Sequence, residues 1–155
     1  MLNLRLLTDM DIPADILSKL EHYCAYQERC EADVRKKMVG MAVSASQREE
    51  IMRRLKDQKF VDDERFTEQY VRSKLHEQWG PLKIRQGLFA KGVAAEVIDA
   101  VMGQVAPEAY EEVLEDAIEK WRRTNPATGD DRSRLIRALL SKGFAMGEIL
   151  SKLKS

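Results

Sequence analysis

The sequence predicts an all-α protein made of three tandem three-helix repeats, and three observations support this. Gly and Pro are sparse and stand between segments with apolar periodicity. Those segments are filled with good helix formers, and β-branched alternation is nearly absent. A segment at 83–93, KIRQGLFAKGV, has an echo at 134–144, RLIRALLSKGF. Stacked repeats of this kind predict an elongated, curved molecule.

The two copies of the repeated segment match at their apolar and Lys-Gly positions. The matched pairs are Ile84 with Leu135, Leu88 with Leu139, and Lys91-Gly92 with Lys142-Gly143. A more divergent copy, which lacks Lys-Gly, places Val34 and Met38 at the two apolar positions. The repeats are therefore predicted at 1–60, which includes an N-terminal arm, at 61–105 and at 106–155.

In the first repeat, apolar periodicity predicts three helices. They lie within ADILSKLEHYCAYQE at 14–28, CEADVRKKMVG at 30–40 and SASQREEIMRRLKDQKF at 44–60.

The second repeat has the clearest helix boundaries. Asp62 or Asp63 is expected to cap a helix that buries Phe66, Tyr70 and Leu75. Glycine and proline then separate the helices: Gly80 ends the first, Pro81 begins the second and Gly92 ends it. Gly87 allows close approach to the second helix, and the third helix is expected to bury Val97, Ile98, Val101 and Met102.

The third repeat begins with a long acidic helix at 107–124. Its predicted inner residues are Val113, Leu114, Ala117, Ile118 and Trp121. A loop, NPATGDD at 125–131, leads into the echo helix, and a last helix is expected to bury Ile149 and Leu153.

Composition limits the classes of function. Lys plus Arg (26) equals Asp plus Glu (26), so no global field draws the chain to nucleic acid or membrane. The sequence shows no apolar run of membrane-spanning length and no secretory signal, which predicts a cytoplasmic protein. The two cysteines, Cys24 and Cys30, are expected to be free thiols.

Charge is segregated by helix. The middle helix of each repeat is basic, whereas the long helix of the third repeat is acidic. Alignment of the repeats places Lys36, Lys83, Arg134 and Arg137 on equivalent surfaces, opposite the apolar pairs. A repeated basic ridge suits a partner that is itself repetitive and acidic. The alternative interpretation is that these residues form solvated outer faces.

Catalytic and metal sites have little support. Asp62, Asp63 and Glu64 could form an acidic metal-binding cluster, but they stand where a helix start favours carboxylates. His22 and Cys24 point to nearly opposite sides of a helix, so with Cys30 they make a poor zinc set. We therefore expect no cofactor, no metal and no enzymatic activity.

The sequence resembles the RecX family of recombination regulators. The resemblance rests on FVDDERFTEQYVRSK followed by GPLKIRQGLFAKGV, which contribute Phe60, Asp62, Asp63, Arg65, Phe66, Tyr70, Gly80, Ile84, Arg85, Leu88, Lys91 and Gly92. The chain departs from the family pattern at Cys30, where the family often has Ser, at Gly87, where it often has Glu, and at Glu77, within a usually more basic stretch.

The resemblance implies a non-enzymatic modulator that binds the RecA recombinase filament in its helical groove, next to DNA. The residues expected to face the filament or DNA are Arg35, Lys36, Lys37, Arg72, Lys74, Lys83, Arg85, Lys91, Arg134, Arg137 and Lys142. Zero net charge predicts weak binding to DNA alone. Internal repeats already supply multivalency, so a monomer is expected. The rival hypothesis is a helical-repeat nucleic-acid binder that acts without a recombinase.

Overall fold

The regular structure is helical throughout residues 11–126 and 131–154, which are the residues that this computed structural model describes. The helices are α1 (Ala14–Tyr26), α2 (Glu31–Met38), α3 (Ala45–Asp57), α4 (Asp63–His76), α5 (Pro81–Ala90), α6 (Ala95–Gly103), α7 (Pro107–Thr124), α8 (Arg132–Ser141) and α9 (Met146–Leu153). The predicted all-α class is confirmed. The N-terminal arm up to residue 10 and positions 127–130 of the predicted loop lie outside the described residues.

Local sequence explains where several helices begin. Ser44 and Gln47 form a capping box at α3: the Gln47 amide N donates to the Ser44 hydroxyl at 3.1 Å, and the Ser44 amide N donates to Gln47 Oε1 at 2.8 Å. At α8 the Asp131 carboxylate accepts from the Arg134 amide at 3.1 Å. Pro107 occupies the first turn of α7, where its missing N–H costs nothing. No helix within the described ranges is long and apolar enough to span a membrane.

The first compact unit comprises residues 11–66 together with 91–93. Its core is an apolar cluster contributed mainly by α1, α2 and α3. The buried members are Leu20, Cys24, Val34, Met38, Ile51, Met52, Leu55 and Val61. The predicted burial of Val34 and Met38 is confirmed, which supports their alignment with the apolar pairs of the later copies.

The second compact unit comprises residues 67–90 and 94–154. One apolar cluster joins α7, α8 and α9 through Leu114, Ala117, Ile118, Leu135, Leu139, Phe144 and Ile149. In the same unit, Ile84, Leu88, Ile98, Val101 and Met102 are also buried. The predicted apolar pairs of α5 and α8 are therefore both buried. The boundaries of the three repeats stay a prediction.

The buried face of α4 differs from the predicted one. Tyr70 and Leu75 are only half-buried, whereas Thr67 and Val71 are buried together with Phe66. The predicted face was assigned from large apolar side chains, and a threonine was therefore not included. A small β-branched side chain suits a tightly packed position when its hydroxyl has a partner, so Thr67 marks the deepest side of this helix.

The Lys-Gly pair forms a turn that contacts the start of an earlier middle helix. In the second unit, the Gly80 amide donates to the Lys142 carbonyl at 2.7 Å, and the Leu82 amide donates to the Gly143 carbonyl at 3.0 Å. In the first unit, the Cys30 thiol donates to the Lys91 carbonyl at 3.5 Å. These contacts give the repeated Lys-Gly sequence a structural purpose.

Glycine is required at the second of these turns. Gly143 has a φ of 96°, and a Cβ there would lie 2.3 Å from Lys83 Cβ and 2.6 Å from the Lys83 amide nitrogen. Gly80 faces the same contact, since a Cβ on it would lie 2.4 Å from the Gly143 carbonyl carbon. A side chain at either position would separate the turn from α5.

We predict that Gly143→Ala lowers the free energy of unfolding by more than about 1 kcal/mol, because the left-handed backbone and the Lys83 contact both oppose a methyl group. Gly147→Ala is the matched control: a Cβ at Gly147, in α9, would have no neighbouring atom within 4 Å, so stability should be unchanged or higher. Urea unfolding of both variants measures the difference. Equal stability of the two variants would contradict the tight contact.

Glu50 is a charged residue with only 8% of its side chain exposed. Its carboxylate pairs with Arg53 at 2.6 Å and with Arg54 at 3.1 Å. The Arg53 hydrogen bond, supported by Arg54, lowers the pKa of Glu50 from 4.5 to about 2. A carboxyl whose pKa is lower in the folded state stabilises the fold while it is charged.

We predict that Glu50→Gln destabilises the protein at neutral pH. Because the folded pKa is depressed, the difference from the parent chain should persist above the unfolded pKa of 4.5 and disappear as pH falls towards about 2. Glu68→Gln, at an exposed position of α4, makes the same chemical change outside the buried pairs and should cost less stability at neutral pH. Denaturant unfolding across this pH range gives both results, and a pH-independent loss for Glu50→Gln would contradict the assignment.

Candidate partner-binding surface

The two aspartates after Phe60 serve the starts of two helices. Asp62 Oδ1 accepts from the Arg65 amide at 3.1 Å and so caps α4, which confirms the capping prediction. Asp63 Oδ1 accepts from the Glu31 amide at 2.9 Å, at the first turn of α2, and burial raises the pKa of Asp63. Within residues 11–126 and 131–154, no group of three His, Cys, Asp or Glu side chains is placed to hold a metal ion.

Other residues of this segment also have structural partners. Arg65 Nε donates to Glu28 Oε1 at 2.6 Å, and its Nη2 donates to the Phe60 carbonyl at 3.4 Å. Cys24 and Cys30 are free and buried, as predicted for the free thiols. Burial raises the pKa of Cys30 to about 11, so this thiol is a poor nucleophile at neutral pH. The chemistry of the segment is that of helix capping and packing.

Two of the predicted partner-binding arginines form ion pairs with residues of the same chain. Arg35 of α2 binds Glu49 of α3 at 2.7 Å, and Arg85 of α5 binds Asp99 of α6. The two pairs occupy equivalent positions of the first two predicted repeats. In the third, the corresponding residues are both apolar, Ile136 and Leu150. In α2 and α5 the position therefore links the helix to the next helix of the chain.

Two predicted lysines also have carboxylate partners. Lys91 Nζ lies 3.2 Å from Asp33 Oδ1 in the first unit, and Lys74 Nζ lies 3.4 Å from Glu77 Oε2 in the second. The structure gives these lysines intramolecular contacts. Their part in partner binding stays a prediction.

The remaining predicted residues divide by exposure. Five are exposed to solvent, namely Lys36, Lys37, Arg72, Arg134 and Arg137, whereas Lys83 and Lys142 are half-buried. Arg35, Arg85 and Lys91 are tied to carboxylates, so the basic ridge is less uniform than the sequence predicted. The exposed members of α2 and α8 are the cations best placed to meet a partner.

Lys142 is half-buried in the second unit, and the charges of Lys83 and Lys120 act on it. Burial, followed by the charges of Lys120 and Lys83, lowers the pKa of Lys142. Lys83 Nζ also lies 4.1 Å from the centre of the Trp79 ring, and Lys74 Nζ lies 4.4 Å from it. Trp79 is therefore a packing partner for lysine side chains.

Sequence reasoning missed a set of exposed apolar residues. Val39 is 69% exposed, Phe89 is 61% exposed and Leu140 is 38% exposed. All three directly follow the second residue of the buried pair in α2, α5 and α8, so they are equivalent positions of the predicted repeats. We call them the apolar set. The same alignment that found the buried pairs would have found them if it had been extended by one residue.

The acidic helix α7 is partly neutralised within the fold. Lys152 of α9 binds Glu115 and approaches Glu111 at 3.7 Å. Reversing these two glutamates would therefore disturb packing as well as charge. Glu112 and Asp116, which are exposed on the same helix, are better positions for a control.

The fold of the described residues defines the class of protein, which is all-helical. Its helices α2, α5 and α8 carry matching buried pairs and matching exposed residues. Residues 62–102, which span α4 to α6, match the RecX second three-helix domain. The chain is 31% identical over 131 residues to a RecX regulatory protein of Oceanobacillus iheyensis, covering 83% of this chain and 48% of that protein. It is 25% identical over 146 residues to one of Salmonella paratyphi B, covering 88% of each.

Two solved structures have a similar fold. A crystal structure of a RecX regulatory protein aligns with a TM-score of 0.80 and 28% identity over 92% of this chain and 73% of that one. The RecX structure from Lactobacillus salivarius has the same fold, with a TM-score of 0.77, 23% identity and coverage of 92% and 97%. Over most of its length, the chain is therefore similar to RecX regulatory proteins. It spans about half the length of the first curated relatives that it matches.

We predict that Asp62→Ala lowers the free energy of unfolding by about 0.5–2 kcal/mol, because the Arg65 amide loses its cap. Thermal or urea unfolding measures the loss. Glu64→Ala, an exposed neighbour in the first turn, is the control and should cost less. A divalent ion that raises the melting temperature of the parent chain but not of Asp62→Ala would instead indicate a metal site.

Proposed function

We propose that this protein binds the RecA recombinase filament assembled on DNA and restrains its activity in recombination and repair. The resemblance to the RecX family supplies the candidate partner, and the similar proteins are named as regulatory proteins. The role is that of a binding protein, with no catalytic step. Growth block, disassembly and occlusion of the second DNA strand are all compatible with this role.

The apolar set is the observation that carries the proposal. Large apolar side chains exposed singly are ordinary, but Val39, Phe89 and Leu140 recur at one position of each repeat. Aliphatic and aromatic side chains gain most by entering apolar pockets on a protein. A partner that presents the same pocket repeatedly, as each subunit of a filament does, matches a chain that presents the same residue repeatedly.

Cations accompany the apolar set at two of its three positions. Lys36 and Arg137 are exposed and lie three residues before Val39 and Leu140, so each pair shares a helix face. The contact surface of the partner should therefore combine an apolar pocket with nearby carboxylates.

The rival hypothesis, direct binding to nucleic acid alone, makes a different demand. Phosphates offer cations a partner but give exposed Val, Phe and Leu side chains none. A DNA binder that contacts 6–10 phosphates should also lose about 10³–10⁵ in affinity between about 50 and 200 mM salt. Filament binding through apolar contacts should be much less sensitive to salt.

The test is co-sedimentation with RecA filaments on single-stranded DNA. We predict that Val39→Asp and Phe89→Asp each weaken filament binding at least about tenfold, because a charge enters an apolar contact, and that the double variant binds less than either. Tyr26→Asp and Met146→Asp, which change exposed apolar residues outside the apolar set, should bind normally. Circular dichroism should show unchanged helical content in all five variants.

Charge-reversal variants provide a second test of filament binding. Lys36→Glu with Arg137→Glu should weaken binding to filaments, whereas Glu112→Lys with Asp116→Lys should not. Arg85 is avoided because its reversal would break the pair with Asp99. If the apolar variants bind normally while the chain sediments equally with naked DNA, the nucleic-acid hypothesis replaces this proposal.

A further inference from the structure

Two cavities lie one after the other between α7 and α9 of the second unit. The first has a volume of about 290 Å³ and extends to Pro81 at the start of α5. The second has a volume of about 340 Å³ and lies farther along α7. Lys152 of α9 lines both cavities, so they are neighbours, and we call the two together the α7–α9 groove.

The α7 side of the groove carries an apolar stripe beside an acidic stripe. Residues four apart lie on the same face of a helix. The apolar stripe is Tyr110, Leu114 and Ile118, and the acidic stripe is Glu111, Glu115 and Glu119. Leu114 and Ile118 are buried and form the floor, whereas Tyr110 is half-buried and its hydroxyl donates to the Met102 carbonyl at 2.9 Å. The groove therefore offers a partner both apolar contact and negative charge.

Helix capping does not account for the acidic stripe. Carboxylates at a helix start complement the helix dipole, but this effect is confined to the first turn. The first turn of α7 ends at Tyr110, so all three glutamates of the stripe lie beyond it. Like charges four residues apart also repel each other along a helix. A cation that meets the stripe relieves this repulsion.

Lys152 shows how a cation occupies the groove. Its ammonium binds Glu115 and lies 3.7 Å from Glu111, so one cation is shared by two carboxylates. The side chain of Lys152 is 27% exposed, whereas that of Glu115 is 57% exposed and that of Glu111 is 65% exposed. Each carboxylate can accept several hydrogen bonds. Both glutamates therefore keep the capacity to bind a cation from outside the chain.

The spacing along the groove suits a helix. Ile118 of the second cavity lies eight residues after Tyr110 of the first. This separation is about 12 Å along the helix axis, and side chains seven or eight residues apart on a second helix lie about as far from each other. Amphipathic helices bind apolar grooves in this way, with anchors that recur on one face.

We propose that the α7–α9 groove binds a basic amphipathic helix of a protein partner, whose apolar side chains enter the two cavities and whose lysines or arginines meet the acidic stripe. Charge complementarity selects this occupant, because a stripe of carboxylates repels phosphates and acidic peptides. The proposal goes beyond the proposed function, since the apolar set lies on α2, α5 and α8 and the groove lies between α7 and α9.

The test measures binding of a fluorescein-labelled peptide to the whole chain by anisotropy. The probe is about 15 residues long, with leucines at helical spacing on one face and arginines beside them. One control peptide has glutamate in place of each arginine, and another has serine in place of each leucine. The probe should bind at least about tenfold more tightly than either control, because it alone supplies both apolar anchors and cations.

Gly147→Phe should block the groove without disturbing the fold. Gly147 lines the first cavity, and a Cβ on it would have no neighbouring atom within 4 Å. We expect probe binding to weaken at least about tenfold, because the ring occupies space that a partner side chain needs, with the melting temperature unchanged. Gly103→Phe, at the end of α6, is the matched control: its Cβ would also meet no atom within 4 Å, and it should bind the probe normally.

Lys152→Gln tests the acidic stripe with a result of opposite sign. The variant should have a lower melting temperature, because Glu115 loses its ion pair, yet it should bind the probe at least about threefold more tightly, because both glutamates become available to the arginines. Lys120→Gln makes the same charge change at an exposed position of α7 outside the groove and should tighten binding less. Equal tightening in both variants would show that only total charge matters.

Three other results would overturn the assignment. Probe binding that Gly147→Phe leaves unchanged would place the peptide elsewhere, and equal binding of the serine control peptide would show that the cavities take no part. If the parent chain sediments as a dimer that Gly147→Phe dissociates, the occupant is a second copy of this chain.

Co-sedimentation with RecA filaments keeps the two proposals apart. Gly147→Phe should bind filaments normally, and loss of that binding would make the groove part of the filament contact instead of a separate site. Normal filament binding by Val39→Asp and Phe89→Asp would count against the proposed function and leave the result for the groove unaffected.

Discussion

The second unit depends on the contact between a Lys-Gly turn and the start of α5. Helix starts leave backbone N–H groups without intrahelical partners, and a side-chain cap normally satisfies one of them. Gly80 has no side chain, so the carbonyls of Lys142 and Gly143 accept from the Gly80 and Leu82 amides instead. Because the partner is backbone, the two chain segments must approach closely, and only glycine at 80 and 143 permits that distance. The Lys-Gly echo thus supplies a cap from a distant part of the chain.

In the first unit, side chains cap the start of the corresponding helix, α2. Cys30 and Asp33 form a capping box at α2, and the Lys91 turn adds its ammonium to Asp33 and its carbonyl to the Cys30 thiol. Gly92 meets only the methyl group of Ala32, at 3.5 Å, which is an ordinary contact. The geometry of the turn is therefore kept while the chemistry around it changes. That freedom is what allows Lys91 to pair with Asp33 at one turn, whereas at the other turn the residue equivalent to Asp33 is Lys83, which lies against Trp79.

Sequence alone predicted the elements that follow from local rules. Periodicity predicted the helices and the buried pairs. A cap at Asp62 or Asp63 was predicted because capping depends on the next three residues only, and the structure shows that it is Asp62. The Arg35–Glu49 and Arg85–Asp99 pairs were not predicted, since such pairs depend on how two helices pack. The carboxylate that faces Lys91 was not predicted for the same reason: sequence registers a cation but not the carboxylate opposite it. The apolar set was missed because apolar residues in a helical pattern are first assigned to the core.

The middle helices divide their positions among three tasks, and the proposed function rests on this division, because the chain has no net charge to attract an acidic partner. One pair of positions fills the core, as at Ile84 and Leu88. The neighbouring position links helices in α2 and α5, where its arginine is paired with a carboxylate, and the corresponding residue of α8 is Ile136. What remains for a partner is the outward face, where no structural contact consumes the side chain. Binding residues are therefore those that packing leaves unused, and an apolar residue on that face is more informative than a cation, because solvation alone accounts for an exposed cation.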